Sequence, residues 1–469
     1  MHKVSMAQTI NIKKGLDIRL VGDADKVMMQ AEHSETVLVS PADFFEIRPK
    51  VLVQAGDEVL AGTPVMFDKN NEDYRIVSPV SGEVVEVIRG EKRKLLGVKI
   101  LADKETRYVD HGAVDLASTS REALLEKLCT SGVWSLIRMR PYDSVAFPQL
   151  QPKAVFVSAF SSSPLGPDMD FIVNGQEDLF ELGLQAIAKA ANAPVHLSVH
   201  AEKNRAEVFT KSKYATVHTF TGKHPSGNIG IQIHHISPIN KGEIIWHLGV
   251  QDLVMLGRFI KTGRYDAQKI VALTGAQVKK TRYYKTIANA SLKSILGADN
   301  LTEDAARCRF ISGDVLTGRN EGENGYLSLR DNQVTVIPEG GEPEFFGWLA
   351  PGFNKFSVSK TFFTWAFPGK KFNLNTNNNG ELRAFVVTGE YERVFPMNIM
   401  PVQLLKAIIT GDIELQENLG IYEVSPEDFA LCEFVCTSKI ESQAIVEKGL
   451  GILYGELVDA LKPQEHHHG

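Results

Sequence analysis

The stretch 49–101 is the most heavily punctuated part of the chain, and it limits the fold more than any other. Apolar runs at Val51-Leu52-Val53, Val59-Leu60, Val65-Met66-Phe67 and 84–88 are set apart by Gly56-Asp57, Gly62 and Pro64, Pro79 and Gly82, and Gly90. Short strands broken this often specify a small all-β unit. The string Gly56-Asp57-Glu58-Val59 is echoed by Gly82-Glu83-Val84-Val85, so the unit reads as two similar halves. No other internal repeat is present.

Composition bounds the rest. A chain of 469 residues predicts about three or four domains. An apolar share of 43% and a charged share of 23% are ordinary for a packed globular protein. The net charge of −6 argues against nucleic acid as a partner, because that binding needs a basic surface. No apolar run approaches the roughly 18 residues that span a bilayer, and the opening Met-His-Lys-Val-Ser-Met lacks the apolar stretch of a signal peptide. Any contact with a membrane is therefore expected through a partner. Four cysteines do not make a disulfide framework in this length, which points to a reducing compartment. The terminal Glu465-His466-His467-His468-Gly469 is left out of metal-site reasoning.

Before the β unit, 10–21 alternates apolar and polar residues around Gly15, predicting a half-buried strand pair or hairpin. After it, Ser118-Thr119-Ser120 followed by Glu122 predicts a helix with a Thr119/Glu122 capping box, closed at Gly132. A strand over 154–158, a helix over 177–191 stopped by Pro194, and a strand over 195–199 predict a parallel α/β layer. Strands over 214–220, 229–236 and 244–248 precede an amphipathic helix over 250–261. From Lys269 onward, strands over 270–273, 309–312 and 333–337 surround a short helix at 291–296. The tail reads as helical, with Ser425 as N-cap, Pro426 at the first helical position and Glu427-Asp428 in the first turn.

The chain thus reads as an α/β multidomain protein. N-terminal strands (1–48) pack on the α/β domain, and a β module follows at 49–102. Next come a Rossmann-like α/β domain (103–262), a small β-grasp-like domain (263–340) and a C-terminal helical domain (341–469).

Several features tempt a chemical reading. The order of the β module resembles the barrel-sandwich hybrid fold of biotinyl and lipoyl carriers, in which an Asp-Lys pair at a hairpin tip holds a swinging arm. Asp68-Lys69 stands near that place. Counting to Pro79-Val80-Ser81-Gly82 gives about two residues too many, so a long tip over 70–75 is expected, with Lys69 an unmodified surface residue. Cys432 and Cys436 sit at C-x₃-C, but the register of a bacterial iron–sulfur run places Phe429 and Pro426 at the other two ligand positions. Neither can ligate iron, so the pair reads as vestigial. His234-His235 and His196…His200 lack completing ligands, and no metal site is expected. There is no G-x-G-x-x-G opening a helix and no Walker sequence. The loop 222–230 is Gly-rich, but with a strand expected after it, its glycines read as turn residues.

A set of collinear strings carries a closer resemblance: Lys14-Gly15-Leu16-Asp17, the run 79–93, Arg138-x-Arg140-Pro141, His224-Pro225, Ile311-Ser312-Gly313, Phe346-Gly347-Trp348-Leu349-Ala350-Pro351-Gly352, Tyr391-Glu392-Arg393-Val394 and Leu431-Cys432-x₃-Cys436. Together they resemble the A-subunit family of the sodium-translocating NADH:quinone oxidoreductase, from about residue 10 to about residue 460. That family is related to the C subunit of the Rnf complex and to the NADH-binding flavoprotein subunit of complex I. The resemblance implies a peripheral subunit on the cytoplasmic face of the bacterial inner membrane. It implies partnership with the other subunits, above all the membrane-embedded ones, and a complex that reduces quinone with NADH while exporting sodium. It also implies that flavins and iron centres reside in those partners and that this chain holds no cofactor. Flavin-binding relatives carry a Gly-rich segment where this chain has 137–143, and Arg-Met-Arg-Pro does not let a backbone approach a phosphate in that way.

Within this reading, Arg138 and Arg140, beside Trp134, Tyr142 and Phe147, are expected to form a cationic, partly apolar surface for quinone or for a partner. A structural ion-pair cluster is the plainer reading of the same arginines. A standalone flavin and iron–sulfur oxidoreductase, or a carrier with an arm on Lys69, are the competing functions.

Overall fold

The computed structural model describes residues 6–341 and 352–462. The resemblance string over 346–351 and the terminal histidines lie outside the described residues.

A six-stranded sheet forms the middle of the chain, in the order Thr9–Ile12, Thr216–Gly222, Val195–His200, Ala154–Ser158, Ile245–Gly249, Arg138–Arg140. The strands run parallel except Arg138–Arg140, which pairs antiparallel with Ile245–Gly249. Buried on both faces, the central strands are nearly continuous in apolar residues, as a parallel sheet requires. Alternate residues of one strand serve two cores: Val155 and Val157 join the large cluster, while Ala154 and Phe156 pack with Ile229, Ile233 and Ile245 on the other face.

On the first face lie the helices Glu177–Ala191 and Val250–Thr262. Their close approach depends on two glycines. A Cβ at Gly257 would stand 1.9 Å from the carbonyl oxygen of Leu179, and one at Gly183 would stand 2.1 Å from that of Leu253.

The segment 229–236 is a helix, Ile229–Ile236, and not the strand expected from its alternation. Ile229, Ile231 and Ile233 alternate as in a strand, but Ile229, Ile233 and Ile236 also make a helical stripe that covers Ala154 and Phe156. Its first five residues are all buried, so periodicity could not decide. The loop 222–228 therefore does open a helix, contrary to the expectation.

Likewise 10–21 forms no hairpin. Only Thr9–Ile12 is a strand. At Gly15 the chain turns with φ +145°, donates an N–H to the carbonyl of Arg393, and runs so close to His224 that a Cβ would meet its carbonyl oxygen at 2.2 Å.

The first three strands are shared among three sheets. Thr9–Ile12 edges the α/β sheet, Asp25–Gln30 edges a second six-stranded sheet beside Arg282–Ile287, and Thr36–Val39 pairs with Leu95–Ala102 in the β module. That module is a barrel-sandwich of four strands (Thr36–Val39, Leu95–Ala102, Gly82–Arg89, Glu58–Val59) and three (Pro49–Val51, Pro64–Asp68, Asn71–Val77). The second six-stranded sheet, with Gln268–Thr274, Cys308–Ser312 and Gln333–Pro338 at its middle, is covered by the helix Leu292–Leu296.

The C-terminal part is helical. Pro401–Thr410 and Ser442–Leu461 are its main helices, and Pro426–Phe429 forms a 3₁₀ turn before Ala430–Val435. The Asp428 carboxylate accepts the Ser425 N–H at 2.9 Å, which fixes that start. No helix of the described residues is long and apolar enough to cross a membrane.

Candidate functional site

Two polar assemblies stand out in the α/β domain, one enclosed and one open. The enclosed one is built around Arg140, whose side chain is only 1% exposed. Its Nη2 donates to Glu427 at 2.7 Å, its Nη1 donates to Asp428 at 3.4 Å, and its Nε lies 3.6 Å from Asp143. Asp143 also receives Arg138 at 3.3 Å and the His247 Nε2 at 2.8 Å.

Burial alone would loosen Arg140's proton, but Asp143, Asp428 and Glu427 outweigh it and raise its pKa. For Asp143 burial works upward, yet Arg138, Arg140 and the His247 hydrogen bond win and hold it well below the usual carboxylate range. Glu427 goes the other way. Burial and the neighbouring Asp428 and Asp143 push it up to about 7 against the pull of Arg140. With two arginines facing three carboxylates, the surplus of negative charge disfavours ionisation of Glu427, a third of whose side chain reaches solvent, and of Asp428, which is raised as well.

All five residues proposed from the sequence as a surface lie at this place, but they do not form a cationic surface. Trp134, Arg140 and Phe147 are fully enclosed. Trp134 donates to the Ala146 carbonyl at 2.8 Å and meets Trp246 edge-on. Tyr142 and Phe147 pack on Tyr454 of the helix Ser442–Leu461, at ring separations of 5.7 and 6.1 Å. Only Arg138 keeps part of its side chain, 25%, in contact with solvent. The arginine pair became an anchor because its charges meet Glu427 and Asp428, carboxylates supplied by the far end of the chain. Asp428 also presses on the first turn of the helix Ile229–Ile236, where a Cβ at Gly230 would stand 2.6 Å from its oxygens. A helix N-terminus that could take an external anion is thus met by the chain's own carboxylate.

The open assembly is a crevice of about 480 Å³ outside the carboxyl ends of Ala154–Ser158, Val195–His200 and Thr216–Gly222. Open α/β sheets take ligands at that end. Its walls include Asp17, Arg19, Ser162, His200, Lys203 and His224. The Ser162 hydroxyl bridges two loops, accepting the Gly227 N–H at 2.8 Å and meeting His224 Nδ1 at 2.9 Å. The Asp17 carboxylate accepts the His224 N–H at 2.9 Å, and Lys203 Nζ donates to the Ser161 carbonyl at 2.9 Å. Burial lowers the pKa of His224 to about 4 and lowers that of Lys203 as well, so His224 is a neutral hydrogen-bonding group at neutral pH. Arg19, Lys203 and Lys371 face Asp17, Asp23 and Glu202 here, a balanced set that suits a neutral polar group better than a free phosphate. Sequence reasoning missed this crevice.

The remaining candidates fall as follows. Lys69 is exposed, and with Asn70 it forms a two-residue tip between Pro64–Asp68 and Asn71–Val77. The long tip expected over 70–75 is therefore corrected: the extra residues enter the second strand as an irregularity between the Met66–Ile76 and Asp68–Asn71 pairs. Buried Asp68 shapes the tip by accepting the N–H groups of Arg48 and Asn70, each at 2.9 Å. Cys432 and Cys436 are buried in and just after the helix Ala430–Val435, near Tyr391, while Cys129 and Cys308 lie in a different helix and in the second six-stranded sheet. His234 bonds Glu423 at 2.7 Å, and His196 bonds His218, not His200, at 2.9 Å. Among the described residues no three His, Cys, Asp or Glu side chains are grouped to hold a metal ion.

Three family descriptions match in order: an NqrA N-terminal barrel-sandwich hybrid domain over 10–103, an NqrA second alpha/beta domain over 119–265, and an NQRA C-terminal (SLBB) domain over 270–321. The A subunit of a Na(+)-translocating NADH-quinone reductase from Rhodopirellula baltica is 36% identical over 444 residues, covering 94% of this chain and 96% of the relative. The chain belongs to the NqrA family, the A subunits of that reductase. Its counterparts from Hahella chejuensis and Alcanivorax borkumensis are each 35% identical, covering 94% and 95% of this chain and 98% and 100% of the relatives. Among solved structures, an NAD+-reducing [NiFe]-hydrogenase in the H2-reduced state matches at 13% identity, over 77% of this chain and 69% of that one, with a TM-score of 0.36. Nothing is transferred from so distant a likeness.

The NqrA α/β domain holds Arg138 and Arg140 as well as most of the crevice, whereas Glu427 and Asp428 lie beyond all three matched stretches. This NqrA-family chain is a component of an oxidoreductase complex, and its fold joins a barrel-sandwich, a Rossmann-like layer, an SLBB-type β domain and C-terminal helices.

Proposed function

We propose that the chain is the peripheral, cytoplasmic-face subunit of a sodium-exporting NADH:quinone reductase and acts at its quinone end or in docking to its membrane subunits. The observation that carries this is full-length similarity to named relatives of the NqrA family, 36% identical with 96% of the relative covered. The absence of a membrane-crossing helix among the described residues supports a peripheral position. NADH, flavins and iron centres belong, in this reading, to the partner subunits.

Within the chain, the crevice is better suited than the enclosed cluster to admit a small polar headgroup. Lys203 and Ser162 line it with hydrogen-bonding groups, whereas Arg140 already faces three carboxylates. The test is purification through an affinity tag on this chain from membranes of its host. The expected result is co-elution of membrane subunits with NADH-dependent, sodium-stimulated quinone reduction. Recovery of the chain alone, with all such activity in the unbound membranes, would overturn the reading.

A further inference from the structure

Between Gly352 and Gly380 the chain reverses its character. This stretch carries Lys355, Lys360, Lys370 and Lys371 and no aspartate or glutamate, in a protein whose net charge is −6. It also exposes large aromatic side chains: Phe353 60%, Phe363 64%, Trp365 57% and Phe367 58%. Isolated exposed apolar residues are ordinary, but four on one short stretch are not.

The local structure explains how they are held out. Phe363–Ala366 is a single 3₁₀ turn with Thr364 buried and donating to the Lys355 carbonyl at 2.8 Å, so Phe363 and Trp365 on either side face solvent, their rings 6.2 Å apart. Phe372 is buried and fastens the stretch to the N-terminal segment, exchanging backbone hydrogen bonds with Arg19 and Val21 at 2.8 and 3.0 Å. The two segments enclose a groove of about 210 Å³, lined by Arg19, Lys223, Trp365, Phe367 and Lys370, with Asp17 as the one acid among its described lining residues. Asp17 is occupied by the His224 N–H. Among the described residues Arg19, Lys223 and Lys370 pair with no carboxylate; Arg19 and Lys370 hydrogen-bond to neutral oxygens of Pro368 and of Phe353 and Asn354.

Aromatic rings flanked by basic side chains, on a protein that is otherwise acidic, complement a surface that is greasy beneath and negatively charged on top. We propose that this patch seats on the headgroup layer of an anionic phospholipid bilayer. Phe363, Trp365 and Phe367 enter the interface, and Arg19, Lys223 and Lys370 receive a lipid phosphate in the groove. The inference rests on reading the chain as part of a membrane complex, and it adds a lipid contact to whatever protein contacts that complex makes.

The full chain is sedimented with phosphatidylcholine vesicles with and without phosphatidylglycerol, at low and at raised salt. Alongside it run Trp365→Ser/Phe367→Ser, at exposed positions, and Arg19→Glu/Lys370→Glu, at an exposed and a half-buried position, both checked for an unchanged unfolding midpoint. Binding is expected only with phosphatidylglycerol, weakened by salt and reduced about tenfold or more in either double variant. Trp134 and Trp246 are fully buried and Trp348 lies outside the described residues, so the part of a vesicle-induced blue shift in fluorescence that is lost in the Trp365→Ser variant reports the interface directly. Equal binding of wild type and variants, or no binding to phosphatidylglycerol vesicles, overturns the proposal. So does a variant that binds no vesicle differently yet fails to assemble with the membrane subunits, which would assign the patch to a protein partner. Loss of vesicle binding with co-elution of the complex intact leaves the function proposed above standing.

Discussion

Arg140 holds a full positive charge where its own side chain is 1% exposed, and it is tolerated because three carboxylates surround it. Removing one partner of such a set leaves the others buried and unbalanced. Arg140→Ala is therefore expected to cost about 3–5 kcal/mol in urea unfolding, with Arg138→Ala, still partly wetted, costing clearly less. A loss below ~1 kcal/mol for Arg140→Ala would remove the cluster's claim to anchor the C-terminal helices. Lys69 gives the opposite expectation. Its exposed tip position makes Lys69→Ala neutral within about 0.5 kcal/mol, and an intact mass free of any lipoyl or biotinyl group is predicted. The two-residue tip makes that mass measurement decisive, because the tip no longer distinguishes this lysine from a carrier's. The arginine pair was legible in the sequence as a pair. The plainer reading of it, a structural ion-pair cluster, agrees with the structure, but its partners were not legible, since Glu427 and Asp428 stand 287 and 288 positions away and only the tertiary fold brings them together.

Helices with caps and a clear stripe were readable from local signals alone. Glu177–Ala191 is found at its expected limits. Ile229–Ile236 was misread because its first five residues are all buried, Gln232 included, so polar and apolar positions do not separate into an outer and an inner face that would reveal the period. The barrel-sandwich was recognisable from its turns, but the register irregularity that leaves Lys69 at a tight tip was hidden in a residue count. The crevice was invisible for a different reason. Asp17, Ser162, Lys203 and His224 come from separate segments that meet only at the carboxyl ends of parallel strands. Most fully concealed is how closely the helices Glu177–Ala191 and Val250–Thr262 approach. Gly257→Ala would drive a methyl group into the Leu179 carbonyl, 1.9 Å from its ideal position. The expected cost is about 1–3 kcal/mol, read as a lowered midpoint in urea unfolding. An unchanged midpoint would mean the helices can part freely.

Across the whole molecule, buried histidines set the response to acid. Burial holds His196, His224 and His247 at about 4, about 4 and about 3. In the unfolded chain they titrate near ~6.5. Between those values the unfolded chain binds more protons, so stability is present above about pH 6.5 and is lost as pH falls toward 4. Glu427 is raised to about 7 and works the other way, as do the raised Asp428 and Asp331, while His200, His218 and His235 are lowered too and add to the histidine side. Stability in urea unfolding is therefore expected to rise between pH 5 and pH 6.5, by about 1.4 kcal/mol per pH unit for each proton left in balance. Stability that falls over that range would show the histidines to be protonated in the folded protein.

Sharing the first three strands among three sheets makes the molecule one connected support, consistent with a chain that links parts of a larger complex. In the function proposed here this chain supports the quinone step, while NADH is oxidised by its partners. The direct measurement compares the purified complex with and without this chain, using NADH with either ferricyanide or quinone as acceptor. Ferricyanide reduction is predicted to survive removal of the chain, while quinone reduction is lost and returns when the chain is added back. Quinone reduction at an unchanged rate in the complex lacking the chain would contradict that division of labour.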